Sequence, residues 1–300
     1  IKRVPLDVYR QQKRGGRGVT GMATKEEDVV DKVFMASTHD YLLCFTNKGR
    51  AYWLRVYDIP EGSRTAKGKA IVNLLNLTDE DVSAVIPLRS FDSDKYFLYA
   101  TKCGRIGKFS QDLFARPRAG GIIGMTLLDG DELVDVVMTD GKSDVVLTTA
   151  YGQSLRFSEE EVRATGRGSQ GVIGIKMKYE EDRVCGLTLV DDKAKYLLLL
   201  TDKGYGKRTL FDEFMGHGRA TQGVRSIAAN FERGPVVSAV AVSDEDDVVM
   251  TTAAGIVMRT HAADISVQGR SAQGVRVIRV DSGDKVTGVA VVSPDEEEEQ

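Results

Sequence analysis

The stretch Cys44-Phe45-Thr46-Asn47-Lys48-Gly49-Arg50 has the pattern of a β-hairpin. An apolar run ends in threonine, two polar residues and a glycine follow, and the next run opens with a cation. A glycine between two apolar runs is typical of a hairpin turn, because glycine adopts the backbone conformations that such turns need. The same frame recurs with glycines at 104, 152, 204 and 255, so the five glycines lie 55, 48, 52 and 51 residues apart. The stretch is therefore one copy of a repeat.

A second element repeats out of phase with the hairpin. It consists of a glycine followed by alternating apolar residues, as in Gly121-Ile122-Ile123-Gly124-Met125. Its six leading glycines stand at 18, 68, 121, 171, 223 and 274, which are 50, 53, 50, 52 and 51 residues apart. A period near 50 with several short strands in each unit is typical of blades arranged around an axis. Together with the many Val, Ile, Thr and Gly residues, this repeat predicts an all-β fold.

The two ends of the chain predict how a ring of six units would close. The sixth unit stops at Val289-Ala290-Val291-Val292, where a hairpin is expected. At the other end, Ile1–Tyr9 has the pattern of Gly107–Phe114, which follows a hairpin turn. We therefore predict a six-bladed ring whose last blade is completed by the N-terminal strand, because that arrangement pairs two free sheet edges.

Charge is unevenly distributed along the chain. The formal net charge is −3, but Asp295 and Glu296–Glu299 contribute −5, which leaves +2 for residues 1–294. We interpret 1–294 as a mildly basic β domain. We interpret 295–300 as an acidic disordered tail, which is either a solvated end or a competitor for a basic surface. The opening Ile1-Lys2-Arg3 reads as a cut made inside a longer protein.

Membrane and disulfide-rich classes find no support in the sequence. The longest apolar runs, such as Tyr196–Leu200, are far shorter than a membrane span. Cys44, Cys103 and Cys185 are widely separated, and each lies in or beside an apolar run. This usage favours buried thiols in a reducing compartment over disulfides or a metal site.

The connections between units are basic and rich in glycine. Because each occupies the same place in its repeat, symmetry predicts that they lie on one rim of the ring. Their cations are Arg64, Lys67 and Lys69; Arg116 and Arg118; Arg163 and Arg167; Arg219; and Arg270. The first connection, Gln12-Lys13-Arg14-Gly15-Gly16-Arg17-Gly18, is the densest, with three cations within five residues. Dense positive charge on one rim predicts binding to polyphosphate, and here to a nucleic-acid strand.

Further cations lie on the strand that follows each hairpin turn. Alternation along a strand does not tell which of them face the rim. As additional candidate DNA contacts we include Arg50, Arg105, Lys108, Arg156, Lys207, Arg208 and Arg259. Contacts of this kind to phosphates supply affinity without reading the base sequence.

The motif Gln12–Gly18 resembles the gyrase A-box, which marks the C-terminal domain of the DNA gyrase A protein. The six-fold repeat around it is similar to that domain over essentially all 300 residues. The resemblance implies a six-bladed β-pinwheel, a propeller-like disc whose four-stranded blades exchange strands. It also implies that duplex DNA wraps around the basic rim and that the box is required for wrapping. Lys13 stands where the family commonly has Arg, which keeps the charge but loses the bidentate fork.

The same resemblance implies partners for the domain. In the family, the wrapped DNA presents a second duplex segment to the cleavage core, which is the N-terminal part of the gyrase A protein, and strand passage then yields negative supercoils. ATP and Mg²⁺ are used by the gyrase B protein in an A2B2 assembly, so we expect no cofactor in this fragment and no catalysis by it alone. We also expect a prokaryotic, cytoplasmic, nucleoid-associated protein with no membrane partner, and an isolated domain that is monomeric.

No local signal predicts a catalytic or metal site. Gly16–Gly21 spells G-x-G-x-x-G, but the helix pattern that must follow a dinucleotide-binding loop is absent. His39, His217 and His261 are isolated, and no Cys-x-x-Cys spacing accompanies them. We therefore assign no catalytic residue and no metal ligand.

Two alternative functions stay open. One is the homologous C-terminal domain of topoisomerase IV, which bends DNA but lacks an intact box. The other is a propeller that binds proteins through its disc face, which an acidic or neutral rim would favour. The intact box, the six repeats and the basic linkers favour the gyrase type.

Overall fold

The computed structural model describes residues 1–24, 29–228 and 232–294. This part of the chain consists of short β-strands and single-turn 3-10 helices, which confirms the predicted all-β class. The acidic tail at 295–300 lies outside the described residues, so its boundary and its disorder stay predictions.

The strands are short, and most have six or seven residues or only two. In chain order they are β1 (Val19–Thr20), β2 (Tyr41–Thr46), β3 (Arg50–Arg55), β4 (Val82–Leu88), β5 (Tyr96–Thr101), β6 (Arg105–Ser110), β7 (Ile122–Ile123), β8 (Leu133–Thr139), β9 (Asp144–Thr149), β10 (Gln153–Ser158), β11 (Ala164–Thr165), β12 (Val172–Ile173), β13 (Val184–Val190), β14 (Tyr196–Thr201), β15 (Tyr205–Leu210), β16 (Val224–Arg225), β17 (Val236–Val242), β18 (Asp247–Thr252), β19 (Ile256–His261), β20 (Val275–Arg276) and β21 (Val286–Val292). The 3-10 helices are Leu6–Val8, Val56–Asp58, Ile71–Asn73, Gln111–Phe114, Glu159–Glu161, Phe211–Glu213 and Ala262–Asp264.

The five hairpins predicted from the Thr-x-x-Gly frame are confirmed. They are β2–β3, β5–β6, β9–β10, β14–β15 and β18–β19, and all are antiparallel. Their apolar first strands are almost fully buried, as the continuous apolar runs indicate.

Each hairpin is the centre of one sheet. A seven-residue strand pairs with its first strand, and a two-residue outer strand from another part of the repeat pairs with its second strand. The sheets are β4-β2-β3-β7, β8-β5-β6-β12 with β11 also paired to β6, β13-β9-β10-β16, β17-β14-β15-β20 and β21-β18-β19-β1. In the first four sheets the outer strand follows the next hairpin along the chain, so neighbouring units exchange strands.

The hydrophobic core lies between successive sheets. The seven-residue strands pack in the order β4, β8, β13, β17 and β21. Between the first two sheets, the rings of Phe45, Phe97 and Phe114 meet edge to face with centroids 5.4 to 6.1 Å apart. All three rings are fully buried, and edge-to-face packing adds to the favourable burial of their apolar surface.

The predicted number of blades is wrong: the described residues form five sheets, not six. The sixth unit is represented by separate segments that do not join into a sheet. Val33 and Met35 pack against the last sheet beside Val249 and Ala290. Phe34, which lies between them in sequence, packs against the core of the first sheet instead.

Closure of the ring by the N-terminal strand is not shown either. Ile1–Tyr9 forms no ladder with β21; the bond from Gly62 N to Arg3 O measures 3.1 Å, and that from Lys69 N to Ile1 O measures 2.8 Å. The strand that the last sheet does receive is β1, whose Val19 pairs with Val257. Ile1–Arg3 has the pattern of a second hairpin strand, but no first strand lies beside it among the described residues. Ile1–Arg3 contacts instead the linker around Gly62 and Lys69, which belongs to the next unit.

Candidate nucleic-acid interface

The linkers between units occupy equivalent positions in space. Three residues after each outer strand, a backbone N–H donates to a linker carbonyl. The pairs are Ala23 N to Thr65 O, Thr126 N to Ser169 O, Lys176 N to Thr221 O, Ala228 N to Ala272 O and Arg279 N to Gly16 O, at 2.9 to 3.3 Å. Because Gly16 belongs to the motif Gln12–Gly18, that motif holds one of these five positions.

The motif Gln12–Gly18 lies across the last two sheets. Gln12 N donates to the carbonyl of Arg259 in β19 at 2.7 Å. Gly15 N donates to the carbonyl of Val277, just after β20, and Gly16 forms a parallel bridge with Ile278. The backbone of the motif is thus anchored at both sides, which fixes where its side chains begin.

Two glycines of the motif are required by the backbone. Gly15 and Gly18 have φ of +78° and +71°, a region that other residues enter only with strain. At Gly18 a Cβ atom would also lie 2.7 Å from the carbonyl oxygen of Val257. A motif without these glycines could not lie so close against β19.

The cations of the motif are presented to solvent. Lys13, Arg14 and Arg17 are exposed, and in the part of the chain that the structure describes their side chains form no hydrogen bond or ion pair. Backbone anchoring and unpartnered charge together make a surface that can bind an anion without first breaking an internal contact.

Four linker arginines share one geometry. Each donates through Nη1 to the carbonyl of the second residue of the neighbouring outer strand. The pairs are Arg64 to Thr20, Arg167 to Ile123, Arg219 to Ile173 and Arg270 to Arg225, at 3.0 to 3.3 Å. A guanidinium has five donors, so each side chain is held in place while other donors remain for a phosphate.

The remaining linker cations predicted as contacts are exposed. They are Lys67, Lys69, Arg116 and Arg118, and Arg163 is exposed as well.

Arg50 and Arg105 are half-buried and bind the ends of linkers: Arg50 donates to Gly120 O, and Arg105 donates to the carbonyls of Gln170 and Gly171 at 2.8 and 2.7 Å.

Five predicted contacts point inward instead. Lys108, Lys207, Arg208 and Arg259 are buried, and Arg156 is partly buried. Lys108, Arg156 and Arg208 each donate to carbonyls in or at the end of the next unit's 3-10 helix, as Arg208 Nε does to Ile265 O at 2.8 Å. Their burial leaves them out of the exposed rim. The sequence could not separate them, because alternation along a strand does not tell which face lies inside the fold.

Lys207 shows what such a buried cation does. Its Nζ donates to the carbonyls of Gly269 and Arg270 at 2.6 and 2.8 Å, so it holds the backbone of the last linker from the buried side. The side chain is fully buried, and this desolvation lowers its pKa to about 8 despite the nearby Glu213. Lys2 has the equivalent place in the first unit, where Nζ donates to the carbonyls of Gly21, Ser63 and Arg64.

Sequence reasoning missed Arg225 and Arg276. Arg225 pairs across the sheet with Gln153, and Arg276 pairs with Tyr205. At the same register, the first two sheets carry Arg50 and Arg105 on the hairpin strand, opposite Ile123 and Ile173. One arginine is therefore present at this place in four sheets, on either of two strands. The signal appears only when cross-strand register is known.

Metal-binding and membrane-spanning features are both missing from the described residues. No group of three His, Cys, Asp or Glu side chains among them is arranged to hold a metal ion. No helix in the described ranges is long and apolar enough to cross a membrane.

The family becomes clear when this chain is compared with known proteins. The sequence profile described as "DNA gyrase C-terminal domain, beta-propeller" matches residues 1–37, 40–88, 95–140, 143–190, 195–243 and 246–293. This chain belongs to the DNA gyrase C-terminal domain family. The six matched segments correspond to the six sequence repeats, and the first of them, 1–37, is the one whose described residues form no sheet of their own.

Relatives and solved structures agree with this family. The chain is 44% identical to the DNA gyrase A protein of Salmonella typhimurium over 301 residues, covering 100% of this chain and 34% of that protein. It is 41% identical to the DNA gyrase A protein of Chlamydia muridarum, covering 98% of this chain and 36% of that protein. The chain thus spans about a third of the length of these relatives.

Among solved structures, a DNA gyrase A C-terminal domain superimposes with a TM-score of 0.88 at 29% identity, covering 97% of this chain and 95% of that one. The C-terminal domain of DNA topoisomerase IV gives a TM-score of 0.74 at 28% identity, covering 86% and 80%. Both the coverage and the superposition favour the gyrase type over the topoisomerase IV type.

Proposed function

We propose that this domain binds duplex DNA without sequence specificity and bends it around the basic rim. The observation that carries the proposal is the equivalence of the linkers. Five of them make the same backbone hydrogen bond, and four present an arginine held by the same carbonyl contact. A repeated, pre-positioned guanidinium suits a repeated ligand, and the phosphates of a DNA duplex are such a ligand.

The magnitudes favour many small contacts over one strong one. Bending 20–30 bp of duplex by 40–90° costs on the order of 1–6 kcal/mol. Each phosphate neutralised by Lys or Arg releases condensed counterions, and this release supplies affinity whatever the base sequence. Distributing such contacts around a rim therefore stabilises a curved path, whereas the same charges clustered at one point would hold a straight duplex equally well.

The motif Gln12–Gly18 has a distinct part in this proposal. Its three cations have no internal partner among the described residues, and its backbone joins β19 to the segment after β20. It would hold DNA where the first repeat meets the last sheet. Losing it is expected to reduce bending and wrapping more than simple affinity.

Within a whole gyrase, the proposed role is to deliver the bent duplex to the rest of the enzyme. The partners would be the N-terminal cleavage core of the gyrase A protein and the gyrase B protein, which uses ATP and Mg²⁺. Wrapping by this domain would then support negative supercoiling, with no chemistry and no cofactor in the domain itself. A prokaryotic, cytoplasmic and nucleoid-associated location belongs to the same proposal.

A binding titration with fluorescently labelled duplexes tests the proposal. Duplexes of two unrelated sequences and several lengths are titrated between about 50 and 200 mM salt, where a protein that makes 6–10 phosphate contacts loses about 10³–10⁵ in affinity. The two sequences should bind alike, and long duplexes should bind more tightly than short ones. Tight binding that ignores salt, or no binding to long duplex, would contradict the proposal.

A double variant separates the motif from the rest of the rim. Arg14→Ala with Arg17→Ala should leave binding measurable but reduce bending, read as the distance between dyes at the two duplex ends. The matched control is Arg55→Ala with Lys142→Ala, because both side chains are exposed and Lys142 lies in the loop between β8 and β9, far from any linker in sequence. If both double variants bend DNA like the unmodified domain, the motif has no special part.

A further inference from the structure

One tyrosine on the rim carries two guanidinium groups. Tyr205 opens β15 and pairs across the sheet with Arg276 in β20. The guanidinium carbon of Arg276 lies 4.8 Å from the centre of the Tyr205 ring, and its Nη2 donates to the Tyr205 hydroxyl. The guanidinium carbon of Arg233 lies 4.8 Å from the same ring centre. Two positive groups are thus gathered on one aromatic ring.

Both arginines are held in place. Arg233 Nη1 donates to the carbonyls of Gln273 and Gly274 at 3.1 and 2.7 Å, which ties it to the end of the last linker. Arg276 is exposed, and in the described ranges it forms no ion pair with a carboxylate. Two guanidinium groups around one ring concentrate positive charge on this part of the rim, and a tyrosine face at an exposed site compensates that charge only in part. This concentration of positive charge favours binding of an anion.

The pair adjoins the motif Gln12–Gly18. Gly15 N donates to the carbonyl of Val277, the residue after Arg276, and Arg279 N donates to Gly16 O. A Cβ atom on Gly15 would lie 3.8 Å from the carbonyl oxygen of Arg276. Arg14 precedes Gly15 directly, so it begins next to the backbone of Arg276.

The other sheets lack this arrangement at the same register. The corresponding pairs are Arg50 with Ile123, Arg105 with Ile173, Gln153 with Arg225, and Ile256 with Thr20. Within the part of the chain that the structure describes, each of these pairs has one arginine or none and no tyrosine.

We propose that Arg276, Arg233 and Tyr205 form a phosphate-binding site that continues the motif Gln12–Gly18. Its ligand is a phosphodiester of the duplex that the motif holds, so this inference rests on the proposed function. The tyrosine ring is covered by the two guanidinium groups and orients them; it is a positioning residue and not a platform on which a base stacks. DNA would meet one continuous anion site here, formed by Arg14, Arg276 and Arg233.

The test is a double-mutant cycle on duplex binding. Arg276→Ala should lower affinity about ten-fold at about 0.1 M salt and reduce the slope of log K against log [salt] by about 1, the loss of one phosphate contact. Arg225→Ala is the matched control, because Arg225 has the same register on the preceding sheet and pairs with Gln153 instead of a tyrosine. When Arg14→Ala is combined with Arg276→Ala, the fold-loss of affinity should be smaller than the product of the two single losses, because the two residues share one site. When Arg14→Ala is combined with Arg225→Ala, the loss should equal that product.

A conservative variant distinguishes charge from geometry. Arg276→Lys keeps the charge but cannot stack and donate in a fork, so it should restore the salt slope without restoring the coupling to Arg14. Tyr205→Phe, which keeps the ring, should bind almost like the unmodified domain. Inorganic phosphate is then added to the complex with duplex DNA. We expect it to weaken duplex binding no more than its ionic strength alone does, because the site acts together with the motif on a polymer.

Different results would overturn the proposed function and this site. If the unmodified domain does not bind duplex in a salt-dependent way, the proposed function fails, and this site fails with it. If the unmodified domain binds but Arg276→Ala equals it in affinity and slope, or multiplies independently with Arg14→Ala, only the inference about this site is overturned. Thermal unfolding of each variant, which should match the unmodified domain because Arg276 is exposed, excludes loss of fold as the cause.

Discussion

The three glycines of the motif Gln12–Gly18 have different surroundings, which gives them different expected costs. Gly18→Ala requires a positive φ and places a Cβ 2.7 Å from the carbonyl oxygen of Val257, so the backbone of β19 must move. Gly15→Ala meets only the positive φ, because its nearest neighbour lies 3.8 Å away. Gly16→Ala has no positive φ, and its closest contact is the flexible end of the Gln12 side chain.

We therefore predict an ordered loss of stability within one motif. Gly18→Ala should lower the free energy of unfolding by at least about 2 kcal/mol, Gly15→Ala by about 1 kcal/mol, and Gly16→Ala by less. Urea unfolding measures all three. Gly166→Ala is the control, since a Cβ there meets nothing within 4 Å, and it should leave stability unchanged. An equal cost at Gly16 and Gly18 would show that the anchoring against β19 is not as described.

Lys207 gives the domain a pH-dependent stability. Its folded-state pKa is about 8, below its ordinary value of 10.5, so the unfolded chain binds more protons between these values. Stability must then rise as pH increases above about 8, with a slope of up to about 1.4 kcal/mol per pH unit. Cys44 and Cys185 act oppositely from about pH 8 upward: burial raises the pKa of each thiol from 9.0 to about 12, so the unfolded chain loses those protons first.

The contribution of Lys207 is read as a difference between two proteins, because both thiols already begin to ionise in the unfolded chain between pH 8 and 9. We predict that the free energy of unfolding of the unmodified domain, minus that of Lys207→Met, rises by up to about 1 kcal/mol from pH 8 to 9. Taking this difference cancels the other groups that titrate in this range, Glu213 and Arg270 being the charged neighbours of the ammonium. A difference that stays constant from pH 8 to 9 would mean that Lys207 does not carry this pH dependence.

At the scale of elements, buried cations join each sheet to the 3-10 helix of the next unit. Arg208 is 4% exposed, and it donates to Ile265 O, Ala263 O and the carboxylate of Asp244 while stacking 4.5 Å from the ring centre of Tyr196. We predict that Arg208→Met lowers the free energy of unfolding by about 3 kcal/mol, because acceptors inside the fold lose their donor.

The exposed Arg167 should respond in the opposite way. Arg167→Ala is predicted to change stability by less than about 0.5 kcal/mol, while it reduces the salt slope of DNA binding by about 1. Under conditions where it remains folded, Arg208→Met should keep the salt slope of the unmodified domain. Chemical unfolding and a salt titration of the two variants separate the two classes of cation. A reduced salt slope in Arg208→Met would show that the buried cations also contact DNA.

The same contrast explains how far the sequence could predict the site. The linkers and the motif were predictable, because a glycine-rich basic segment at a fixed place in each repeat has one exposed position. Lys108, Lys207 and Arg208 were not, because alternation along a strand tells which side chains share a face but not which face lies in the interface between sheets. Arg225 and Arg276 were missed because their two-residue strands carry no periodic pattern, and only the pairing with Gln153 and Tyr205 reveals their place.

At the scale of the whole molecule, six sequence repeats give five sheets among the described residues. A hairpin signal needs both strands and the turn, and five copies of it are present, so five sheets were predictable from that element alone. The sixth was inferred from the six leading glycines, with the likeness of Ile1–Tyr9 to Gly107–Phe114 supplying its missing strand, but a strand pattern does not form a strand without a partner. In the structure, Arg3 and its neighbours bond to the connection around Glu61, and Phe34 and Met35 contact the first and last sheets separately.

The rim is proposed to bend duplex DNA by many pre-positioned phosphate contacts acting together. The most direct measurement is a single titration that records both binding and the distance between dyes on the two ends of a long duplex, repeated over a range of salt. We predict that the ends approach as protein binds, for any base sequence, and that approach and affinity fall together as salt rises, with a slope of several phosphate contacts. Saturated binding with an unchanged end-to-end distance would contradict this central claim.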